Sequence, residues 1–417
     1  MELRRVVITG LGALTPIGNS CQEYWQNLLL GVSGAGPITR FDASKHKTQF
    51  ACEVKNFDPL KYMDVKESRK MDLFTQFAVA TASDAVADAK IDLTAIDLER
   101  AGVIWGTGIG GFTTCFEEVN NFSKGDGEPR FNPFFIPKII GDIAAGQISI
   151  QFGFRGPNYV TTSACASAAN AITDAFNMIR LGKADVIITG GSEAPIIVPG
   201  VGGFNAMQAL STRNDSPQTA SRPFDKGRNG FVIAEGAGAL ILEDLEHALK
   251  RGAKIYAEVA GCGLSSDAHH VTAPHPEGAG ARLAMKHALE DAHVDLTEID
   301  HINTHGTSTP LGDIAEVNAI LSLFGEHAYN ININSTKSMI GHLLGAAAAV
   351  EAVATVLTVQ NDIVPPTINH FEDDERLDNK LNFTFNKAQK RVVNYALSNA
   401  FGFGGHNTSL LFKKYKG

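Results

Sequence analysis

The sequence predicts an α/β protein built from two similar halves. Short apolar runs that each end in a glycine turn alternate with stretches that resemble helices, which is typical of buried strands in an α/β sheet. In the first half these runs are "VVITGLGALTP" (6–16), "GVIWGTGIGG" (102–111) and "DVIITGGSEA" (185–194). The second half repeats the pattern, so the repeat length is half the chain.

Four pairs of stretches carry the repeat and set the predicted boundary between the halves. The pairs are "IYAEVAGCGLSS" (255–266) with the opening strand, "IDHINTHGTST" (299–309) with 102–111, "ININSTKSMIGHLLGAAAAVEA" (331–352) with "YVTTSACASAANA" (159–171), and "FGFGGHNTSLLFKK" (401–414) with "EGAGALILED" (235–244). Both members of the last pair predict hairpins. We predict one unit at 1–252 and a second at 253–417. Loops after equivalent strands would then meet between the halves, where a catalytic site is expected.

The composition predicts a globular protein of the cytoplasm. The 417 residues are 44% hydrophobic and 19% charged, with a net charge of −9. This charge and the absence of a basic block argue against a nucleic-acid partner. Five cysteines, an odd number with no C-x-x-C pair, favour reduced thiols over disulfides or a zinc site. The apolar stretch "LLGAAAAVEAVATVLTV" contains Glu351, so we expect a buried helix and no membrane insertion.

One cysteine has the surroundings of a nucleophile. Cys165 lies between a short β-branched run and a predicted helix that ends at Leu181, with Gly182 as its C-terminal cap. Alanines and serines around it let neighbouring backbones approach closely. The start of a helix lowers a thiol pKa below about 8.5 and offers N–H groups to an oxyanion. The other four cysteines are interpreted as core residues: Cys21, Cys52, Cys115 and Cys262.

Two histidines and a lysine stand at equivalent places in the second half. "NTHGTSTPLGD" contains His305 between a strand and a Gly-Thr turn, and "NSTKSMIGHLLG" contains Lys337 and His342. A lone histidine is more often a surface or core residue. Two in glycine-flanked loops of the repeat favour catalysis, because histidine titrates or donates near neutral pH. One cysteine with two histidines indicates acyl-thioester chemistry.

Four motifs then resemble one enzyme family along the whole chain. In order, "TTSACASA", "HGTSTPLGD", "STKSMIGHLLGAA" and "NAFGFGGHN" are similar to the elongating condensing enzymes of fatty acid synthesis, including their synthase II group. "GVGGFNAMQALSTRND" (200–215) and "SRPFDKGRNGFVIAEGAG" (221–238) extend the similarity. The resemblance implies the thiolase-like fold, whose two α/β halves form a layered α-β-α-β-α architecture. It also implies a decarboxylating condensation of an acyl chain with a malonyl group.

The resemblance implies a role for each motif residue. Cys165 would carry the acyl group, His305 and His342 would serve decarboxylation, and Lys337 would support them with Glu351 as its partner. The backbone N–H of Phe403 would join that of Cys165 in the oxyanion hole, and its side chain would gate access. Pocket and pantetheine contacts are implied for Ile109, Phe134, Phe204, Thr272, Thr307 and Thr309.

The same resemblance implies the partners. Substrates would arrive on the phosphopantetheine of an acyl carrier protein, with no other cofactor and no metal required for catalysis. The basic segment "VKESRKMD" would dock the acidic carrier, because Lys66, Arg69 and Lys70 share one face of a helix. A homodimer is implied, in which the segment "NPFFIP" of one chain closes the acyl pocket of the other. His406, Gln208 and Phe131 depart from the residues usual in the family.

Several other readings have weaker support. A thiolase needs a second cysteine near the C-terminus, a starter condensing enzyme would have one histidine and an asparagine, and a catalytically silent chain-length subunit would lack Cys165. The alternative assignments as a synthase I or as a polyketide or polyene ketosynthase stay open. "GTGIGG" (106–111) lacks the second strand and acidic residue of a dinucleotide site. We discount as site residues His269, His270, His275 and Ser192.

Overall fold

The computed structural model describes residues 3–417, and a ten-stranded mixed sheet lies at its centre. The strands are β1 (Val6–Leu14), β2 (Gly36–Pro37), β3 (Phe50–Ala51), β4 (Ala101–Gly106), β5 (Asn158–Thr161), β6 (Val186–Glu193), β7 (Gly236–Asp244), β8 (Ala257–Ser266), β9 (His301–Asn303), β10 (Asn332–Asn334), β11 (Ile363–Val364), β12 (Gln389–Lys390), β13 (Tyr395–Gly402) and β14 (His406–Lys413). The short pairs β2/β3 and β11/β12 lie outside the main sheet.

Helices precede, connect and cover these strands. They are α1 (Cys21–Leu30), α2 (Val65–Ser68), α3 (Leu73–Ala89), α4 (Phe112–Lys124), α5 (Phe135–Ile139), α6 (Ile143–Phe152), α7 (Ser167–Arg180), α8 (Val198–Ala206), α9 (Leu245–Lys250), α10 (Ala279–Ala292), α11 (Gly312–Phe324), α12 (Lys337–Ile340) and α13 (Ala347–Asn361).

The sheet consists of the same five-strand unit used twice. The first unit has the spatial order β5-β4-β6-β7-β1, and the second has the order β10-β9-β13-β14-β8. In both units the second strand pairs in parallel with two neighbours, and the remaining pairs are antiparallel. Antiparallel pairing of β1 with β8, from Val6↔Val259 to Ile8↔Ala257, joins the units. The predicted α/β fold with two similar halves is confirmed.

The helices form the layers of a thiolase-like fold. Helices α7 and α13 contact each other and pack on strands of both units, whereas α3 with α6 and α10 with α11 cover the other faces. The segment Leu344–Asn361 is long and apolar enough to cross a membrane, but 89% of it is buried inside the protein. Its apolar side chains therefore pack in the core, as a central helix requires.

Two details differ from the sequence expectation. The helix after Cys165 spans Ser167–Arg180, so Cys165 lies before its first turn, next to Ala164 in a left-handed conformation (φ 50°). β13 and β14 form the predicted hairpin, but β6 and β7 pair without one, since residues 194–235 with α8 intervene. The predicted division at 252/253 lies between α9 and β8 and stays a prediction.

Candidate active site

A tight turn after β5 presents Cys165 to a cavity between the halves. The hydroxyl of Ser167 accepts the N–H of Ser163 (2.9 Å) and donates to the Ala164 carbonyl (2.6 Å), which closes the turn around the thiol. The residues must be small here because other backbones cross at contact distance. A Cβ on Gly402 would lie 2.6 Å from the Ser163 carbonyl oxygen. A Cβ on Gly106 would lie 2.5 Å from the Ala168 backbone, in helix α7. Cys165 itself is 8% exposed.

Both predicted histidines reach the same cavity. Nε2 of His342 lies 3.1 Å from the Cys165 sulfur, and the rings of His305 and His342 are 5.3 Å apart and nearly perpendicular. His342 is fixed by backbone bonds to Val232 and Ala234. The structure therefore brings together a thiol and two imidazoles from loops far apart in the sequence.

Glu316 holds the loop that carries His305. Its two carboxylate oxygens accept the N–H groups of His305 (2.9 Å) and Gly306 (2.8 Å), and one also accepts the Asn399 amide. Burial raises the pKa of Glu316 to about 7, although these donors oppose the rise. The carboxylate thus sets the backbone from which the imidazole projects.

Removal from water keeps both imidazoles neutral. Burial lowers the pKa of His305 well below its usual value, and the positive charge of Lys337 and the neighbouring His342 lower it further. The pKa of His342 falls well below its usual value for the same reasons, burial first and Lys337 second. A neutral imidazole has one N–H donor and one lone pair, so each ring either donates to a carbonyl oxygen or accepts a proton.

The thiol is less acidic than the sequence led us to expect. Burial raises the pKa of Cys165 to about 12, and the charge of Lys337 and the N–H of Phe403 only partly offset that effect. The prediction of a lowered pKa is wrong because Cys165 precedes the helix and is buried, and the effect of burial is the larger one. Cys165 therefore keeps its proton at neutral pH, and the nearest acceptor is Nε2 of His342.

Lys337 and Glu351 form a buried ion pair behind the histidines. Each side chain is 1% exposed, and the ammonium donates directly to the carboxylate. Burial raises the pKa of Glu351 to about 7, against the lowering effect of Lys337. Removing one partner of such a pair costs about 3–5 kcal/mol of stability, because the other charge stays buried and unpaired. The pair fixes a positive charge beside both imidazoles.

The turn between β13 and β14 covers the thiol. The backbone N–H groups of Phe403 and of Cys165 itself lower the pKa of the thiol, against the larger effect of burial. Gly404 (φ 91°) and Gly405 (φ 77°) give this turn a shape that other residues rarely adopt. The His406 ring lies against Gly404, where a Cβ would come within 2.8 Å of Nε2. His406, which departs from the residue usual in the family, therefore contacts this turn.

A cavity of about 320 Å³ leads from the surface to Cys165. The predicted residues that line it are Cys165, Phe204, Thr272, His305, Thr307, Thr309, His342 and Phe403. Hydroxyls of Thr307 and Thr309 lie 3.1 Å apart in its wall. Ile109 (36% exposed) and Phe134 (40% exposed) do not line this cavity and lie on the surface of the single chain.

The comparisons with known proteins agree with this site. The family model of the β-ketoacyl synthase N-terminal domain matches residues 3–248, and that of the C-terminal domain matches residues 256–371. The chain belongs to the β-ketoacyl synthase family. The predicted family of elongating condensing enzymes is thereby confirmed.

Individual relatives match the synthase over its whole length. The 3-oxoacyl-(acyl-carrier-protein) synthase 2 of Synechocystis sp. is 49% identical over 416 residues, covering 100% of this chain and 99% of its own. The protein of the same name from Staphylococcus aureus is 48% identical over 413 residues, with 99% of each chain covered. A solved type II polyketide ketosynthase in complex with its acyl-carrier protein has a TM-score of 0.89 at 33% identity, with full coverage of both chains.

Two residues of the synthase site were not predicted from the sequence. Glu316 lies eleven positions after His305 on α11, and no local pattern marks it. Phe231 packs edge-on against His342, with ring centroids 5.2 Å apart, and it stands in the quoted segment 221–238 without a distinguishing signal. Only the fold brings either side chain to the histidines.

The proposed docking residues of the synthase lie on a shorter helix than expected. α2 is a single turn, with Lys66 within it and Arg69 and Lys70 directly after. Lys66 and Arg69 are exposed. Lys70 pairs with Glu67 at 2.5 Å and lies 5.7 Å from the Phe134 ring centre, so its charge is partly neutralised.

Proposed function

We propose that this chain catalyses the decarboxylating condensation of an enzyme-bound acyl group with malonyl-acyl carrier protein, in fatty acid elongation in the cytoplasm. The products are a 3-oxoacyl-acyl carrier protein and CO2. One observation carries the proposal: Nε2 of His342 lies 3.1 Å from the Cys165 sulfur, with His305 beside it in one cavity. The substrates arrive on phosphopantetheine, and no further cofactor enters the reaction.

Acyl transfer begins at the thiol. The Cys165 sulfur attacks the acyl thioester carbonyl while its proton passes to His342, because burial leaves the thiol too weakly acidic to ionise alone. The N–H groups of Cys165 and Phe403 stabilise the oxyanion. The carbon–sulfur bond to the carrier then breaks, and the departing thiolate takes the proton from His342.

Condensation uses the neutral histidines as donors. For this step the proton of His342 is on Nε2 instead of Nδ1, the other neutral tautomer of the ring. Nε2–H groups of His305 and His342 bind the malonyl thioester oxygen, so the bond to the carboxylate breaks with release of CO2 and an enolate forms. The enolate carbon attacks the acyl carbonyl on Cys165. Collapse of the tetrahedral intermediate forms the 3-oxoacyl thioester, and the released Cys165 thiolate takes up one proton from solvent. Phe403 gates the exchange of the two carriers.

Product analysis tests this function. The protein is incubated with malonyl-carrier and a ladder of acyl-carriers, and products and CO2 are measured. We expect a 3-oxoacyl chain two carbons longer than its acyl donor and one CO2 per product. Repeated extension to poly-ketone chains would support the alternative of a polyketide or polyene ketosynthase. Condensation of acyl-coenzyme A without CO2 would indicate a thiolase and contradict the proposal.

We also propose that the acidic carrier docks on Lys66, Arg69 and Lys70. Because the whole chain is negative, attraction of an acidic partner requires a local basic patch. Each exposed pair contributes on the order of 1 kcal/mol or less, and salt screens it. Changing all three to Glu should raise the KM for acyl-carrier by about ten-fold or more, through a slower association.

A carrier-free substrate provides the control for this change. Turnover of a small acyl thioester should stay near that of the unchanged protein, since the patch lies outside the cavity. A matched reversal of Lys286 and Arg282 on α10 should leave both KM values unchanged. An equal loss on both substrates would mean that the patch serves stability, and no loss on either would place the carrier elsewhere.

A homodimer is the proposed assembly. Within residues 3–417, strand β5 is an edge of the sheet with no neighbour beyond it. Exposed apolar side chains lie near it in sequence: Val119, Phe122, Phe131, Phe134, Ile136, Ile140 and Ile150. Such an edge and apolar surface are usually covered in solution. We expect a sedimentation mass of two chains at micromolar concentration. A mass of about one chain would contradict the assembly.

A further inference from the structure

Glu193 is a buried carboxyl group that the proposed reaction does not use. It ends β6 and is fully buried. One oxygen, Oε1, accepts the N–H of Gly108, the N–H of Ile109 (3.1 Å) and the hydroxyl of Thr107 (3.2 Å). Among residues 3–417, the second oxygen has no hydrogen-bond partner. A buried carboxylate in this arrangement needs an explanation.

The loop that Glu193 holds is in contact with the Cys165 turn. The Thr162 hydroxyl donates to the Thr107 carbonyl (2.9 Å), and the Thr107 N–H donates to the Thr161 carbonyl (3.3 Å). A Cβ on Gly108 would lie 3.1 Å from Glu193 Oε1 and 3.4 Å from the Ala164 oxygen, so these groups are packed at contact distance. The chain of contacts therefore runs from Glu193 through the loop 107–109 to the turn that presents the thiol.

A buried carboxylate also holds the equivalent loop of the second half. There Glu316 accepts the N–H groups of His305 and Gly306, in the loop after β9, which is the counterpart of β4. The two glutamates come from different elements, β6 and α11, but each fixes the loop of its own half.

We propose that Glu193 is a positioning residue for acyl transfer, which holds the loop 107–109 against the Cys165 turn. This inference rests on the proposed function, because it assumes that Cys165 is the nucleophile. A turn held in this way keeps the thiol at its 3.1 Å contact with Nε2 of His342, along which the proton passes.

Two substitutions separate the charge from the geometry. Glu193→Gln keeps an oxygen to accept the loop N–H groups and removes the charge. Glu193→Asp keeps the charge and shortens the side chain by one methylene, so the loop loses its support. Glu53→Gln is the matched control, because Glu53 is a buried carboxylate that accepts the N–H groups of Thr39 and Arg40 outside the cavity. Cys165→Ala gives the background from the other four thiols. Circular dichroism confirms that each variant is folded.

The measurements are the alkylation rate of Cys165 by iodoacetamide from pH 7 to 10 and the rate of acyl-enzyme formation. For Glu193→Gln we expect alkylation and acylation within about three-fold of the unchanged protein, because the oxygen that holds the loop is kept. For Glu193→Asp we expect alkylation within about two-fold of the unchanged protein and acylation slower by about ten-fold. Glu53→Gln should leave both rates unchanged.

Two outcomes would overturn the inference. One is acylation by Glu193→Gln that is as slow as acylation by Glu193→Asp, and the other is normal acylation by Glu193→Asp. If only one of the two Glu193 variants folds, its acylation rate alone still tests the positioning role. Alkylation requires no carrier substrate, so an alkylation result that contradicts this inference would not contradict the proposed condensation. If the unchanged protein did not catalyse condensation, the alkylation result would still be valid.

Discussion

Cys165→Ala is expected to lower condensation by a factor on the order of 10^4 or more, the size of effect seen when a catalytic nucleophile is removed. The sulfur forms the covalent bond to the acyl chain in the proposed reaction, and among the described residues 3–417 no second thiol lines the cavity. Acyl-enzyme formation should therefore fall to background. The measurement is product formation from acyl-carrier and malonyl-carrier, followed by mass spectrometry.

The same variant should retain the decarboxylation step. Removing the thiol leaves both imidazoles and the Lys337–Glu351 pair in place, so CO2 release from malonyl-carrier should stay within about ten-fold of normal. Cys115→Ala is the matched control, because this partly exposed thiol on α4 lies outside the cavity. Normal condensation by Cys165→Ala would remove the basis of the account.

His305→Ala and His342→Ala are expected to slow CO2 release by about 100-fold or more, the usual contribution of an acid–base group. The two variants should differ in acyl transfer. His342 contacts the Cys165 sulfur, so its loss should slow acylation as well, whereas His305→Ala should acylate at a near-normal rate. The measurements are acyl-enzyme formation and CO2 release, each followed separately. His287→Gln on α10 is the control, since this partly buried side chain bonds to the Leu264 carbonyl and lies outside the cavity.

The pH dependence follows from the neutral state of both rings. A lowered histidine pKa means that the neutral form persists until the pH falls well below the usual value of 6.5. CO2 release should therefore not decline between pH 7.5 and pH 6.5 through protonation of these groups. A decline centred near pH 6.5, or unchanged CO2 release in both alanine variants, would contradict the assignment of the pair.

The repeat and the reactive motifs were open to prediction from the sequence because their signals are local. A glycine turn after an apolar run marks the end of a buried strand wherever it occurs, so pairs of such runs revealed the doubled topology. The small residues around Cys165 likewise mark a turn where backbones cross. The structure places His305 and His342 beside that turn, as their equivalent positions in the repeat predicted.

Features that depend on long-range packing were not open to prediction. The pKa of Cys165 is set by the burial of the whole cavity, which outweighs the local effect of the helix that follows. Glu316 and Glu193 reach their loops from other elements, and nothing in the neighbouring residues marks them. Ile109 and Phe134 lie on the surface of the single chain, so the role implied for them depends on a second chain.

The most direct test of the central claim is a single-turnover experiment followed by peptide mass spectrometry. The protein is loaded with one acyl-carrier, the modified peptide is identified, and malonyl-carrier is then added. We predict an acyl group on Cys165 alone, which disappears as one equivalent each of CO2 and of the 3-oxoacyl-carrier is formed. An acyl group on another residue, or CO2 release that leaves the acyl-enzyme unchanged, would contradict the account.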